Sequence, residues 1–354
     1  MEKSSRRLTL LSVVGLVAAI TVVVTATANG KQAGNIDAPE AEEFPPAVDD
    51  SAGITVTEVI PHSDRTLQIT YDTLSVDEAA TFEGMSVYVT VPESYLESPS
   101  DDFSTLYLLH GGGNGQAANW YQHGEVEEAN SDLIMVMPEG GKVGWYTDWL
   151  EQDDVNQNWQ THHLDELIPF IDHNFRTMTD GDHRAIAGLS MGGFGALHYA
   201  QSRPDLFASV SSFSGALDTN DPAVRATVTQ QAFHNDLPSF GAFGTPLFGQ
   251  DTRWEEANPL FNADELADMQ VNLYAGSGSE FNDIDFDGIG SNIVERVVGQ
   301  TTDRMHGSLN DAGIEHQYWM YGAPVPDCDG GHNWACWRYA FSDALPRIEE
   351  RLLN

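Results

Sequence analysis

Lysine is nearly absent from this chain of 354 residues, which contains only Lys3, Lys31 and Lys142. Lysine and arginine together number 16 against 54 aspartates and glutamates, and the formal net charge is −38. The acids are spread along a chain that is 41% hydrophobic, so they do not form a separate acidic tail. In molar salt the Debye length is about 3 Å, and self-repulsion is screened. We therefore predict adaptation to high salt, as in halophilic archaea. The lack of a basic patch argues against a nucleic-acid partner.

Cysteine is equally scarce, since only Cys328 and Cys336 occur. Neither a C-x-x-C motif nor the paired Cys/His spacing of a zinc site is present, and no metal or cofactor is expected. The two cysteines closely flank His332. Export would place them in an oxidising compartment. We expect a disulfide that clamps the loop carrying His332, with two free buried thiols as the alternative.

One long apolar run occurs, at Leu8–Val24, between the basic start Met1–Arg7 and the small residues Ala26–Ala28. This order predicts a secretory signal peptide over residues 1–28. The stretch Ser5–Leu10 resembles a twin-arginine signal, although Thr9 replaces the usual bulky apolar residue. The run is just short of a comfortable membrane span. We expect cleavage and a secreted chain without a membrane span; the alternative is an uncleaved anchor at the cell surface.

Residues 29–50 lack apolar periodicity and predict a disordered acidic linker, which leaves residues 51–354 for one catalytic domain. Within that domain, Gly53–Ile60 and Met85–Val91 alternate apolar with polar residues, as half-exposed strands do. The runs expected to form parallel strands follow: Thr105–His110, Asp132–Pro138, Arg184–Leu189, Phe207–Phe213, Val271–Ala275 and His316–Tyr321.

Helical stretches are predicted between and after these strands, at Leu164–Phe175, Gly192–Ala200, Asn292–Ala312 and Trp337–Leu353. Alternating strands and helices predict an α/β protein, with a mainly parallel central sheet and helices on both faces. Residues 217–265 interrupt the alternation and are rich in Asp, Asn, Pro and Gly. We interpret them as a lid-like insertion over the site, with a plain surface excursion as the alternative.

The most informative motif is Gly-Leu-Ser-Met-Gly at residues 188–192, directly after the predicted strand Arg184–Leu189 and before a helix. This strand–turn–helix context is the one in which G-x-S-x-G forms a nucleophile elbow, so Ser190 is the candidate nucleophile. A serine hydroxyl needs a histidine to accept its proton and an acid to orient that histidine. In the α/β-hydrolase fold the three residues follow the chain order serine, acid, histidine.

His332 is the candidate base, because it is the only histidine after the last predicted strand. The acid should follow the strand that ends at Ala275, where Glu280, Asp283, Asp285, Asp287 and Glu295 are candidates. The run Asp283–Gly288 resembles the start of a calcium loop. Val294 stands at the twelfth position, where an EF-hand needs a glutamate, so only a weaker calcium site is left open.

A glycine-rich loop, His110–Asn114, follows a buried strand and matches the HGGG type of oxyanion loop. Glycines allow backbone amides to approach a tetrahedral intermediate closely. We expect the amide of Met191 to be one donor and that of Gly111 or Gly112 to be the other.

From about Met85 onward the chain resembles the secreted mycolyltransferases of mycobacteria and the related esterase-D-type carboxylesterases and feruloyl esterases. The resemblance rests on four motifs taken together: Leu108–Gly112, Trp145–Trp149, Gly188–Gly192 and His332–Trp334.

The resemblance implies an α/β-hydrolase fold and helps to choose among the acids. The mycolyltransferase glutamate corresponds here to Glu295, with Asp283 and Asp285 as alternative acids. The resemblance also implies that Gly112 and Met191 supply the oxyanion amides, and that Trp334 lines the substrate cleft.

Two positions depart from the mycolyltransferases. His110 and Gly113 stand where those enzymes have an aspartate and an arginine that help to hold the sugar acceptor. His110 is thereby expected in the substrate-binding region, and transfer to trehalose is put in doubt.

These observations predict a secreted serine esterase that acts on a small-molecule ester through Ser190, His332 and Glu295 and an acyl-enzyme intermediate. Two alternatives remain at this point. One is an acyltransferase that moves the acyl group to a sugar or glycerol, and the other is a non-enzymatic surface protein of the same fold.

Overall fold

The computed structural model describes residues 44–113, 115–246, 252–278, 288–321 and 328–354, with only the backbone for residues 288–291. The predicted signal peptide, most of the predicted linker, Asp283, Asp285 and the candidate calcium loop lie outside the described residues. The linker prediction is wrong at its end, because Phe44 and Val48 pack against the core and Asp49 exchanges hydrogen bonds with Asn174.

Within the described ranges nine strands form one sheet, in the order β1-β2-β3-β5-β4-β6-β7-β8-β9. They are β1 Thr55–Pro61, β2 Thr66–Asp72, β3 Ser86–Thr90, β4 Thr105–Leu109, β5 Ile134–Pro138, β6 Arg184–Leu189, β7 Ser209–Phe213, β8 Gln270–Gly276 and β9 His316–Tyr321.

The strand order places the ends of the later strands together. Strands β1, β2, β3 and β5 pair antiparallel in succession, whereas β5, β4, β6, β7, β8 and β9 are all parallel. The carboxyl ends of six adjacent strands therefore lie along one edge of the sheet. In open parallel sheets this is the edge at which ligands bind.

The helices are α1 Glu93–Glu97, α2 Ala118–His123, α3 Trp159–Thr161, α4 Ile168–Asn174, α5 Met191–Ser202, α6 Pro222–His234, α7 Thr252–Glu256, α8 Gly288–Ala312 and α9 Trp334–Leu353. A π-helical turn, His162–Leu167, joins α3 to α4, and a 3₁₀ segment, Pro259–Leu266, follows α7.

Helices cover both faces of the sheet, as predicted. In β4, Tyr107 and Leu109 belong to one buried apolar cluster, while Leu106 and Leu108 belong to the other, because successive side chains in a strand point to opposite faces. The first cluster includes buried residues of α4, α5, α6 and α8. The second includes those of α2 and α9. The prediction of an α/β fold with a mainly parallel sheet is confirmed.

The insertion predicted at residues 217–265 is partly a core element. Val224 and Val228 of α6 and Trp254 of α7 are buried in the first apolar cluster. The start of the insertion is tied to α8, where the Leu217 amide donates to Thr301 Oγ1 at 3.1 Å. Gln231 of α6 lies beside Gly112, because a Cβ added at Gly112 would stand 3.5 Å from Gln231 Oε1. The insertion thus reaches the glycine-rich loop.

One strand was not predicted. β2 pairs with both β1 and β3, and its alternating residues Leu67, Ile69 and Tyr71 are buried in the first apolar cluster. In the described ranges, no helix is both long and apolar enough to cross a membrane.

Candidate active site

Ser190 lies at the turn between β6 and α5, with φ 54° and ψ −118°. Its amide donates to the Phe213 carbonyl of the neighbouring strand β7 at 2.9 Å. The flanking glycines are required by close approach. A Cβ at Gly188 would collide with the Gly192 carbonyl, and one at Gly192 would collide with the Leu109 carbonyl. The turn is therefore a sharp strand-to-helix elbow that presents the serine hydroxyl at the strand ends.

His332 faces this hydroxyl from the loop before α9. Its Nε2 lies 2.9 Å from Ser190 Oγ. The loop is fixed on both sides of the histidine, because Cys328 and Cys336 form a disulfide and Asn333 caps α9 by accepting from the Cys336 amide at 3.2 Å. The structure therefore joins the two cysteines around His332, in the arrangement expected from their spacing.

Glu295 of α8 lies on the other side of the imidazole, with Oε2 2.6 Å from His332 Nδ1. It is fully buried, at 0% exposure. Its second oxygen, Oε1, accepts from the hydroxyl of Ser214 at 2.8 Å and from the amide of Gly276. An ionised carboxylate only accepts hydrogen bonds, so the contact with Glu295 favours the tautomer of His332 with the proton on Nδ1, in which Nε2 can accept a proton from Ser190.

Three further residues lie around Glu295 and were not indicated by the sequence. Ser214 follows β7 with φ 52°, a left-handed conformation that is uncommon for serine. Its Oγ accepts from Trp337 Nε1 at 3.2 Å while donating to Glu295. Trp337 also packs edge-on against His332, with ring centroids 5.0 Å apart. Burial and the nearby Glu295 raise the pKa of Tyr321, whose hydroxyl lies 3.4 Å from Ser214 Oγ.

Gly112 and Met191 lie next to each other, since a Cβ at Gly112 would stand 3.2 Å from Met191 Sδ. Met191 is the first residue of α5, so its amide is one of those without a partner inside the helix. The Gly113 amide donates to the Lys142 carbonyl at 3.1 Å and is thereby engaged elsewhere.

A cavity of about 250 Å³ opens at this place. Its lining includes Ser190, His332, Gly111, Gly112, Asn119 and Trp334. Trp334 is held by edge-on contacts with Trp120 and Trp337, each with ring centroids 5.4 Å apart.

His110 does not line this cavity, contrary to the expectation of a substrate-binding role. Its side chain is 1% exposed and lies beneath the loop. Nδ1 is 2.7 Å from the Gly111 carbonyl, and Nε2 accepts from the Gly140 amide at 2.7 Å. Both ring nitrogens are therefore used by the backbone.

No group of three or more metal-ligating side chains occurs among the residues with described positions. Ser190, His332 and Glu295 form a hydrogen-bonded series, which is the geometry that nucleophilic catalysis by a serine hydroxyl requires.

Comparisons with known proteins agree with this fold. The diacylglycerol acyltransferase/mycolyltransferase Ag85B of Mycobacterium leprae (strain TN) is 24% identical over 291 residues, which cover 74% of this chain and 85% of that protein. The crystal structure of Mycobacterium tuberculosis MPT51 superposes with a TM-score of 0.62 at 20% identity, covering 79% of this chain and 98% of the other. At this identity the superposition shows a shared fold.

An esterase of Mycobacterium tuberculosis (strain ATCC 25618 / H37Rv) is 35% identical over 235 residues. The match covers 65% of this chain but 50% of that protein, so the chain spans about half the length of this relative. The Esterase family model, described as "Putative esterase", matches residues 79–348. Because that match extends over most of the chain and contains the elbow, Glu295 and His332, the chain belongs to this esterase family.

Proposed function

We propose that this protein is a serine carboxylic-ester hydrolase, with Ser190 as nucleophile, His332 as general base and acid, and Glu295 as the residue that orients His332. One observation carries the proposal: an unbroken hydrogen-bonded series from Ser190 Oγ to His332 Nε2 at 2.9 Å and from His332 Nδ1 to Glu295 Oε2 at 2.6 Å. Membership of the esterase family supports the same reaction class.

In the acylation step Ser190 Oγ attacks the ester carbonyl carbon while its proton moves to His332 Nε2. The imidazolium formed is stabilised by buried Glu295. The C–O bond to the alcohol then breaks, and the alkoxide leaves with the proton from Nε2. The acyl group remains on Ser190. In the second step water gives a proton to Nε2 and its oxygen attacks the acyl carbon. The bond from that carbon to Ser190 Oγ then breaks, Oγ takes the proton back from Nε2, and the acid is released.

The negative charge on the carbonyl oxygen needs donors that are already in place. We assign this role to the backbone amides of Gly112, which lines the cavity, and of Met191, which lies next to Gly112 and directly follows Ser190. The Met191 amide has the added advantage of the N-terminus of α5, where the helix dipole favours an anion.

Acyl transfer to an alcohol is the second candidate, because the similarity to the mycolyltransferase Ag85B extends over most of both chains. The same acyl-enzyme would serve, with a sugar or glycerol hydroxyl in place of water. We favour water as acceptor, since the two acceptor-holding positions of the mycolyltransferases are replaced here by His110 and Gly113, and His110 is buried away from the cavity.

We also propose where the protein works, both its location relative to the cell and the salt concentration. The N-terminal sequence favours export, with an uncleaved anchor as the alternative. The excess of 54 acidic over 16 basic residues favours activity in molar salt.

The test is labelling and turnover in molar KCl. The protein should react with a fluorophosphonate probe and hydrolyse short-chain nitrophenyl esters. Ser190→Ala should lose both. Ser212→Ala is the matched control, because its buried hydroxyl has no hydrogen-bond partner among the described residues. An unlabelled wild-type protein, or full turnover by Ser190→Ala, would refute the mechanism. Added glycerol or trehalose separates the acceptors: a transesterified product favours acyl transfer.

A further inference from the structure

We propose that His110, Trp120 and Tyr146 are positioning residues, which hold the glycine-rich loop so that the Gly112 amide points at the developing oxyanion. The inference rests on the proposed function and extends it to side chains that never touch the substrate.

Three consecutive backbone carbonyls, those of Leu109, His110 and Gly111, each accept a hydrogen bond from a side chain. Trp120 Nε1 donates to the Leu109 carbonyl at 3.0 Å, and the Tyr146 hydroxyl donates to the His110 carbonyl at 2.8 Å. His110 Nδ1 lies 2.7 Å from the Gly111 carbonyl. All three donor residues are buried, at 0%, 0% and 1% exposure for Trp120, Tyr146 and His110.

The identity of the donor on His110 follows from its partners. A carbonyl oxygen only accepts and a backbone amide only donates. Nδ1, against the Gly111 carbonyl, must therefore carry the proton, and Nε2, against the Gly140 amide at 2.7 Å, must be bare. These two hydrogen bonds assign one tautomer to the ring, and Glu139 Oε1 also lies 3.5 Å from Nε2.

Peptide geometry converts these contacts into an orientation. In a planar trans peptide the C=O and the following N–H point in opposite directions. Because the Gly111 carbonyl points down at the buried His110 ring, the Gly112 N–H points up, away from the ring. Gly112 lines the cavity together with Ser190 and His332, whereas the buried His110 ring does not. In the preceding peptide, the His110 carbonyl accepts from the Tyr146 hydroxyl, and this contact fixes the direction of the Gly111 N–H in the same way.

The donors are themselves fixed. Glu139 anchors the neighbouring loops by accepting from the Ala117 amide at 3.1 Å and the Gly141 amide at 2.9 Å. Tyr146 and Trp145 both adopt left-handed conformations, with φ 46° and 49°. Such conformations are unfavourable for non-glycine residues, and they persist where the surroundings enforce them. Burial and the nearby Glu139 raise the pKa of Tyr146, so its hydroxyl stays a donor.

The absence of a side chain at Gly115 leaves space for the contact between His110 Nδ1 and the Gly111 carbonyl. A Cβ at this position would stand 2.6 Å from His110 Nδ1 and would collide with the Gly111 carbonyl. Any larger residue would force the two atoms apart.

The test replaces His110 with asparagine or glutamine, each of which can keep one of the two hydrogen bonds of the imidazole. In His110→Asn the short side chain places an NH₂ near the position of Nδ1, so a donor to the Gly111 carbonyl is retained. In His110→Gln the longer side chain places an oxygen near Nε2, so the Gly140 contact is retained and the Nδ1 donor is lost. We expect His110→Gln to lower kcat about tenfold to a hundredfold with little change in KM, because one whole oxyanion donor is worth roughly 10²–10³ in kcat. His110→Asn should recover most of that loss.

The second measurement compares an oxygen ester with its thionoester. A general loss of stability would slow both substrates equally and leave the ratio of their rates unchanged. Sulfur accepts hydrogen bonds weakly, so a substrate with C=S gains little from the oxyanion amides. His110→Gln should therefore slow an oxygen ester much more than its thionoester. Equal losses on both substrates, or a kcat within twofold of wild type, would overturn the positioning role. Tyr146→Phe tests the same idea at the next carbonyl and decides the case if the His110 variants fail to fold.

The controls separate this inference from the function beneath it. If wild-type protein is labelled at Ser190 and hydrolyses esters but the His110 and Tyr146 variants are unaffected, the positioning role alone is wrong. If wild-type turnover does not depend on Ser190, the proposed function is wrong and the positioning role falls with it.

Discussion

The hydroxyl of Ser214 donates a 2.8 Å hydrogen bond to Oε1 of Glu295, whose other carboxyl oxygen, Oε2, lies 2.6 Å from Nδ1 of His332. The indole N–H of Trp337 donates to the same hydroxyl, which leaves its proton directed at the carboxylate. A buried acid with a fixed second oxygen has one orientation toward the imidazole. Ser214 is therefore part of the support that the proposed catalytic acid needs.

Ser214→Ala should lower kcat about tenfold and leave KM nearly unchanged. A hydrogen bond to a charged group contributes roughly 1.5–3 kcal/mol, of which only part depends on the transition state. Steady-state kinetics on a nitrophenyl ester measures the effect. Ser212→Ala, two residues earlier on β7, is the control. Equal activity of the two variants would mean that Ser214 does not support Glu295.

Glu295→Gln should lower kcat roughly a thousandfold or more, because an amide can donate to His332 and favour the wrong tautomer. Fluorophosphonate labelling should slow in parallel, while the thermal midpoint changes less. Asp283→Asn and Asp285→Asn are the matched controls, since they remove the two alternative acids. Full activity of Glu295→Gln together with loss in either control would transfer the role to that aspartate.

The disulfide between Cys328 and Cys336 should matter more to turnover than to the core. It closes a short loop with a sequence separation of 8, for which chain entropy predicts about 2–3 kcal/mol of stabilisation. That loop carries His332. We expect the double variant Cys328→Ser/Cys336→Ser to lose several-fold in kcat while it remains folded. A reductant should reproduce the loss in wild type and have no effect on the variant; unchanged turnover in both would refute it.

His198 should make stability sensitive to mild acid. Burial, with a smaller effect from Arg253, lowers the pKa of His198 to about 4. The unfolded chain binds a proton near pH 6.5 and the folded chain near pH 4. Stability is therefore present above pH 6.5 and is lost as pH falls toward 4, by about 3 kcal/mol in total. Denaturant midpoints at constant salt between pH 7 and 4.5 measure the slope.

His198→Gln removes this titration and should flatten the slope. Some slope should remain, because burial also lowers the pKa of His163, followed by the neighbouring His162. An identical pH dependence in wild type and His198→Gln would contradict the assignment. Turnover is not the readout, because His198 contacts Gln160 and Phe194 and does not line the cavity.

The sequence could predict the parts of the site that have local signatures. The elbow around Ser190 requires glycines at fixed positions, and His332 is the only histidine after the last strand. The central parallel strands also have a local signature. Both faces of such a strand are buried, so its sequence is apolar throughout. The acid was less certain, since five carboxylates follow β8 within a short stretch, and the family resemblance was needed to select Glu295.

The supporting contacts had no such signature. Trp120 and Tyr146 donate to the start of the glycine-rich loop from two different segments, and neither contact can be predicted from spacing along the chain. His110 was assigned to the wrong environment because its neighbours in sequence lie at the cavity while its ring turns into the protein. The packing around a strand end decides whether a side chain there points toward the cavity or the core. The periodicity of the sequence carries no information about that packing.

Ser190 and His332 are 142 residues apart in sequence, and His332 lies just before the last helix, α9. Closing so large a loop is a late event in folding, since long-range contacts form only after the entropy of loop closure has been overcome. In a chain that emerges or refolds from its N-terminal end, we therefore expect the turn around Ser190 to form before Ser190 contacts His332. Recovery of turnover will consequently report the completion of folding, and should lag behind recovery of helix and strand content.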